Sequence, residues 1–288
     1  MKRPFAEAQL SGQFFDKMDA EIAAMRAAEI HAHWQDLAVR YGTDLRATTI
    51  ASSIKRLEIA ALHRAIGRVA PLDSHASILE IGCGNGQNIV ALARIFQDRP
   101  FSWTGIDYVP EMVDSARRNA DFAGLSGCAN FLCKDIREVR DLRGYNIVFT
   151  DRMLINLSSI DEQIAAIEAL KDRLIDGGTL ILIENSRQTK DAQNDLRAAM
   201  GLPRRKDADF NLFFDDRVIV PHLKSLFSTV EIEDFGSLHD ILLYVLLPQA
   251  MGAEFQYEHP LMEAVANLCT QIPIGCGAFG QDRLYLCR

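Results

Sequence analysis

The segment Ile78-Leu79-Glu80-Ile81-Gly82-Cys83-Gly84-Asn85-Gly86-Gln87-Asn88-Ile89 constrains this chain more than any other, because an apolar strand runs into a turn with glycine at alternate positions. Such glycines let the backbone take positive φ and let a ligand lie against it with no Cβ in the way. The nearest comparison is the G-x-G-x-x-G fingerprint, which cradles a pyrophosphate at a helix N-terminus. Here the third glycine comes one residue early, Gln87 stands where that fingerprint has glycine, and Glu80 puts a carboxylate near the place of two phosphates. A zwitterionic amino acid tolerates that carboxylate; a pyrophosphate is repelled by it. On this segment alone, a dinucleotide site and a turn with no ligand stay open as alternatives.

From Ser77 onward strand and helix patterns alternate, the grammar of a parallel sheet covered on both faces. Strands are expected at Ser77 to Ile81, Phe101 to Ile106, Ala129 to Cys133, Asn146 to Thr150 and Thr179 to Ile183. Helices are expected at Gln87 to Phe96, Glu111 to Phe122 and Asp161 to Leu174, the last stopping at Gly177-Gly178 in a left-handed turn. Before the sheet, Met18, Ile22, Met25, Ile30, Trp34, Leu37 and Tyr41 recur at helical spacing, Gly42-Thr43 interrupts, and a second helix from about Ser52 to Val69 ends at Pro71. After it, 190–201 reads as helix, 202–216 as a polar and aromatic loop, and Thr229 to Glu233 as a strand. Leu238 to Leu247 and His259 to Leu268 read as helices, and Arg283 to Cys287 as a last strand.

A chain of 288 residues is one large domain or one domain with additions, and 48% hydrophobic with 24% charged residues describes an ordinary globular protein. The net charge of -8 argues against a general nucleic-acid grip. The run Arg204-Arg205-Lys206 is answered at once by Asp207 and Asp209. Six cysteines without a C-x-x-C pair fit a reducing compartment. The N-terminus, with Phe5, Glu7, Phe14, Phe15 and Asp16, has no signal-peptide pattern, and no stretch is long and apolar enough for a membrane span, so the cytoplasm is expected. His31 and His33 are two apart on a helix and cannot form an i, i+4 metal pair, and no metal is called for.

In an open parallel sheet, ligands bind beyond the carboxyl ends of the strands, where strand order reverses. That rule selects Gly82, Gly84 and Gly86, then Asp107, Asp135, Asp151 with Arg152, and Glu184 with Asn185, so four carboxylates converge on one rim. Asp107 follows Gly82 by 25 positions, about one strand-helix-strand unit, which suits a carboxylate reading two ribose hydroxyls. The alternative is a helix-capping or turn acid before Pro110. Asp135 could accept from an adenine amino group while Ile136 packs on the ring, or simply form a turn.

Glu80-Ile81-Gly82-Cys83-Gly84-Asn85-Gly86, Gly105-Ile106-Asp107-Tyr108, Lys134-Asp135-Ile136 and Asp176-Gly177-Gly178-Thr179-Leu180 occur in one order over Ser77 to Asn185. In this the chain resembles the class I S-adenosylmethionine-dependent methyltransferases. The resemblance implies a Rossmann-like α/β fold, a seven-stranded and mostly parallel sheet with helices on both faces, here with an N-terminal helical extension and C-terminal insertions. It implies S-adenosylmethionine as cofactor, with the glycine turn at its methionine part, Asp107 on the ribose, and Asp135 with Ile136 on the adenine. Further donor contacts fall on Glu80, Asn88, Tyr108, Met112, Asp151 and Arg152. Thr150-Asp151-Arg152-Met153 lacks the Asn-Pro-Pro-Tyr type motif that holds planar nitrogens, which favours a small-molecule acceptor. Asp151-Arg152-x-Leu154-Ile155-Asn156-Leu157 and the Asn211-Leu212-Phe213-Phe214-Asp215 loop look similar to methyltransferases of bacterial polysaccharide and natural-product pathways.

Residues 1–70 are then expected as a helical lid and substrate-recognition segment, and 71–288 as the catalytic domain, with acceptor-pocket insertions at about 190–216 and 238–275. The polar turn Tyr41 to Thr49 could fold over the donor, Tyr41 near the sulfonium and Arg46 on a carboxylate, or serve only as an interhelical turn. Asp151, Arg152, Glu184 and His239 are the candidates for the reacting end, assisting an in-line displacement in which a hydroxyl acceptor wants a base and an amine must arrive neutral. The expected partner is a small polar acceptor, with no nucleic acid and no membrane, and the apolar N-terminal helical face could serve a homodimer. A nicotinamide-dependent oxidoreductase and a non-catalytic binding protein of the same fold are the alternatives.

Overall fold

The computed structural model describes residues 12–49, 51–70, 75–207, 210–272 and 276–288, with side chains from Arg26 onward. The readings on Phe5, Glu7, Pro71 and Asp209, and on the side chains of Phe14, Phe15, Asp16, Met18, Ile22 and Met25, lie outside the described residues.

Two helices, α1 (Gly12–Tyr41) and α2 (Ser52–Val69), precede the alternating region. Next come β1 (Ala76–Ile81), α3 (Gln87–Ile95), β2 (Phe101–Asp107), α4 (Pro110–Phe122), β3 (Ala129–Cys133), β4 (Tyr145–Asp151), α5 (Ile160–Lys171) and β5 (Leu174–Asn185). The remainder holds α6 (Arg187–Ala199), α7 (Asp216–Leu226), β6 (Val230–Asp234), α8 (Ser237–Ile241), α9 (Leu247–Met251), α10 (Pro260–Gln271) and β7 (Asp282–Cys287). The sheet has seven strands in the order β3-β2-β1-β4-β5-β7-β6. β1 to β5 pair in parallel, and β7 runs antiparallel between β5 and β6. Strand order therefore reverses between β1 and β4, which sets the ligand crevice at their carboxyl ends.

Both sheet faces are apolar, as a doubly covered sheet requires. Ile78, Ile181 and Ile183 pack with Leu62 and Ile66 of α2, Leu92 of α3, Val113 of α4 and Ala266 of α10. Their strand neighbours Leu79, Leu180 and Leu182 pack on the other side with Ile167 and Leu170 of α5 and Ile219 and Leu223 of α7. Helix α2 thus shares the core of the sheet.

Three elements differ from the sequence expectation. Helix α5 ends at Lys171, capped at Asp172, and Gly177 (φ 74°) serves β5 instead, where the register against β4 shifts between Leu174 and Thr179. A left-handed glycine suits a strand irregularity as well as a helix stop. The helix expected over Leu238 to Leu247 is broken into α8, a π-helical turn at Leu242–Leu246, and α9. Helix α7 has no counterpart in the reading; Asp215 caps it by accepting from Arg217 N, and Pro221 lies inside it.

Candidate active site

The turn after β1 holds Gly82, Gly84 and Gly86 at φ of 72°, 51° and 79°. A Cβ at Gly82 would lie 2.2 Å from Met153 Cγ, and one at Gly84 would lie 2.6 Å from Thr48 Cγ2. At these two positions the positive φ expected of the turn is present, and the side chains of Met153 and Thr48 also leave no room for a Cβ. Gly86 then starts α3 as its N-cap residue.

Asp107, at the end of β2, accepts from Gly84 N through Oδ2 and from Val109 N through Oδ1, each at 2.9 Å. It therefore ties the glycine turn to the start of α4. Burial pushes its carboxyl up to about 6, against the pull of the Val109 and Gly84 N–H groups.

A cavity of about 1590 Å³ opens at this rim, and every residue expected at the donor lines it: Tyr41, Arg46, Glu80, Gly82, Gly84, Asn88, Asp107, Tyr108, Met112, Asp135, Ile136, Asp151 and Arg152. Helix α1 supplies Ile30, His31, Trp34 and Leu37 to the wall opposite the strand ends. Asp135 lines the cavity, and its side chain forms the expected turn by accepting from Arg137 N at 2.8 Å. Arg46 pairs with Asp44, at 2.9 and 3.0 Å, and its guanidinium lies 5.1 Å from the Tyr41 ring centroid. The turn that carries them rests on the glycine motif. Asn85 Nδ2 donates to the carbonyls of Gly42 and Asp44, and Gln87 Nε2 and Asn119 Nδ2 donate to that of Thr43.

The floor is a charged network joined by α2. Lys55 Nζ lies 2.5 Å from Asp151 Oδ2, 2.6 Å from Glu58 Oε2 and 3.3 Å from Asn88 Oδ1. Arg152 Nε lies 2.7 Å from Glu58 Oε1. Asn88 Nδ2 donates to Glu80 Oε1 at 2.8 Å and to Asp151 Oδ2 at 2.9 Å. Burial opposes ionisation of Asp151, but Lys55 and Arg152 hold its carboxyl below the usual range. Burial pushes Glu80 well above the usual range, and the Asn88 hydrogen bond and the Lys55 charge offset it only in part. Arg152 has φ of 53°, the one non-glycine residue with positive φ among the described residues, a costly conformation typical of functional loops.

Two of the expected reacting-end residues do not reach the cavity. Glu184 is fully buried and accepts from Thr150 Oγ1 at 2.8 Å and from the backbone N–H groups of Met153, Leu154 and Ile155. It anchors the loop after β4. His239 is also fully buried, between Asp240 Oδ1 at 2.9 Å and Ser53 Oγ at 3.0 Å. Its place at the start of an apolar segment puts it in a helix–helix contact rather than at the rim.

Sequence reasoning missed Lys55, Glu58, Tyr244 and Asp282. Lys55 and Glu58 sit inside an apolar helical pattern, and two buried charges there were the available signal. Tyr244 lies in the π-helical turn, under the Arg205 guanidinium at 3.4 Å, and lines the cavity together with Asp282, Asn185 and Gln281.

The residues present fit S-adenosylmethionine. Glu80 Oε2 and Asp151 Oδ1 are buried carboxyl oxygens on the floor with no hydrogen-bond partner, acceptors of the kind an amino acid's ammonium needs. A pyrophosphate has no use for them.

A family model described as a methyltransferase domain matches residues 78–178, the stretch that carries the glycine turn and strands β1 to β4 at this rim. The carboxy-S-adenosyl-L-methionine synthase of Desulforapulum autotrophicum is 24% identical over 111 residues, which are 38% of this chain and 44% of that protein. The chain thus spans less than half the length of this curated relative. Among solved structures, the [4+2]-cyclase SpnF superposes with a TM-score of 0.50 at 19% identity, covering 79% of each chain. Haemonchus contortus phosphoethanolamine N-methyltransferase 1, in complex with phosphoethanolamine and S-adenosylhomocysteine, superposes with a TM-score of 0.53 at 15% identity, covering 74% of this chain and 44% of that one. At these identities the structural likeness is one of fold. No helix among the described residues is long and apolar enough to cross a membrane.

Proposed function

We propose that this chain transfers the methyl group of S-adenosylmethionine to an oxygen or nitrogen of a small polar acceptor, a sugar-containing or natural-product intermediate, in the cytoplasm. The observation that carries the reading is one cavity lined by Asp135 and Ile136, the Asp107 carboxylate, the glycine turn and two floor carboxyl oxygens that lack hydrogen bonds. Asp107 takes the ribose hydroxyls, Ile136 packs on the adenine, and Glu80 with Asp151 takes the ammonium. S-adenosylmethionine, when bound, supplies a methyl group already activated by its sulfonium charge.

The chain's own contribution is then position and dryness. Fixing acceptor and donor in line is worth roughly 7 to 11 kcal/mol. Helix α1 and the Tyr41–Thr49 turn cover the donor side and exclude water. The acceptor pocket is completed by residues 1–70 and by the insertions at about 190–216 and 238–275. Tyr244 from the second insertion, with Asp282 of β7 and Asn185 of β5, gives it hydroxyl, carboxyl and amide groups beyond Arg152, which suits a polar acceptor. Arg152 orders this side through Glu58.

The test is incubation with S-adenosylmethionine carrying an isotope-labelled methyl group and a whole cell extract, separated afterwards into small-molecule, nucleic-acid and protein fractions and read by mass spectrometry. A small metabolite gaining one labelled methyl is the expected result. Label found only in nucleic acid or protein would reject the acceptor class.

A further inference from the structure

The cation that organises the floor comes from outside the strand-and-helix motifs. Lys55 is the fourth residue of α2 and is 6% exposed. An ammonium has three N–H donors, and here three acceptors occupy them: Asp151 Oδ2, Glu58 Oε2 and Asn88 Oδ1. Lys55 therefore has no donor left for a bound molecule, and its effect passes through its partners. It holds Asp151 by one oxygen and leaves the other, Oδ1, buried without a hydrogen bond, with Arg152 Nε 3.8 Å away. Asn88 does the same for Glu80, bonding Oε1 and leaving Oε2 unpartnered.

We propose that Lys55 is a positioning residue that, through Asp151, prepares Oδ1, beside Glu80, as the anionic seat of the donor's α-ammonium. The inference rests on the donor reading above and adds to it that α2, part of the N-terminal segment, is built into the donor site. Charge supports it. Burial alone drives Asp151 toward the protonated form, and the Lys55 and Arg152 charges reverse this. A protonated Asp151 would present a hydroxyl where an ammonium needs a lone pair. With Lys55 removed, the cation left beside Asp151 is Arg152, whose Nε is 3.8 Å away and is shared with Glu58.

The test compares two nucleosides on the full chain by calorimetry: S-adenosylhomocysteine, which carries the amino acid end, and 5′-deoxy-5′-methylthioadenosine, which lacks it. Lys55→Met is expected to weaken S-adenosylhomocysteine by at least about tenfold while methylthioadenosine stays within about twofold, as loss of a charge-assisted contact predicts. Lys55→Arg, which keeps the cation, is expected to recover most of the loss. Unchanged S-adenosylhomocysteine affinity in Lys55→Met overturns the inference alone, and so does a parallel loss of both nucleosides, the mark of a merely structural role. Binding of neither nucleoside by the wild-type chain overturns the donor reading itself. Should Lys55→Met not fold, Lys55→Gln, which keeps a hydrogen-bond donor without the charge, is titrated with the same two nucleosides. A selective loss of S-adenosylhomocysteine then supports the inference, and no loss or a parallel loss overturns it.

Discussion

Asp107 holds the glycine turn and the start of α4 with one carboxylate, and in the proposed site the same group reads the ribose. Burial pushes its carboxyl up to about 6, and the ionised form is the one that accepts from two hydroxyls. S-adenosylhomocysteine affinity should therefore be level above this value and fall, by up to about tenfold per pH unit, as pH drops through it. Calorimetry at several pH values reads this directly, and a flat profile down to pH 5 would reject the assignment. Asp107→Asn should weaken binding at least about tenfold with the chain still folded. His239 gives the opposite expectation. Its ring bridges Asp240 and Ser53 away from the cavity wall, so His239→Ala should cost about 1 to 3 kcal/mol in denaturant unfolding and leave nucleoside binding unchanged. Asp107 was legible in the sequence because chain spacing fixes where a strand end falls relative to the turn before it. Glu184 also ends a strand, but its side chain turns inward to meet the N–H groups of Met153, Leu154 and Ile155, and no spacing rule shows that. Lys55 and Glu58 stayed hidden because their partners lie on β4 and its loop, about a hundred residues on.

At the scale of elements, the Tyr41–Thr49 turn and the glycine turn form a unit. Asn85 ties them with two hydrogen bonds, and Thr48 seats its methyl where a Cβ at Gly84 would go. Asn85→Ala should release the turn, seen as faster amide exchange over residues 42–49, with a stability loss of about 1 to 3 kcal/mol. Unaltered exchange there would mean that Gln87 and Asn119 suffice to hold it. The alternating core of the sheet, β1 to β5, was legible because two periodicities and glycine or proline punctuation mark it in any sequence. The ends were less so. Gly177-Gly178 reads equally as a helix stop and as a strand irregularity, and the local sequence does not separate the two. The π-helical turn at Leu242–Leu246 depends on distant support, since Arg197 donates to the Tyr244 carbonyl and Arg205 lies on the Tyr244 ring.

For the whole molecule, the arrangement joins a donor half set by the parallel strands to an acceptor half drawn from both ends of the chain. Helix α2 enters the core of one sheet face and also carries Lys55 and Glu58 to the rim, so stability and the floor of the site are coupled through one helix. The strand-end rule located the cavity, because topology alone fixes where strand order reverses. What the acceptor meets was poorly legible, because Tyr244 and Asp282 converge from segments with no strong period of their own. The central claim, that this cavity takes the methyl donor, is tested most directly by titrating the full chain with S-adenosylhomocysteine and, separately, with reduced nicotinamide dinucleotide. One S-adenosylhomocysteine per chain, with no nicotinamide binding, is the predicted result. Nicotinamide binding without S-adenosylhomocysteine binding would contradict it.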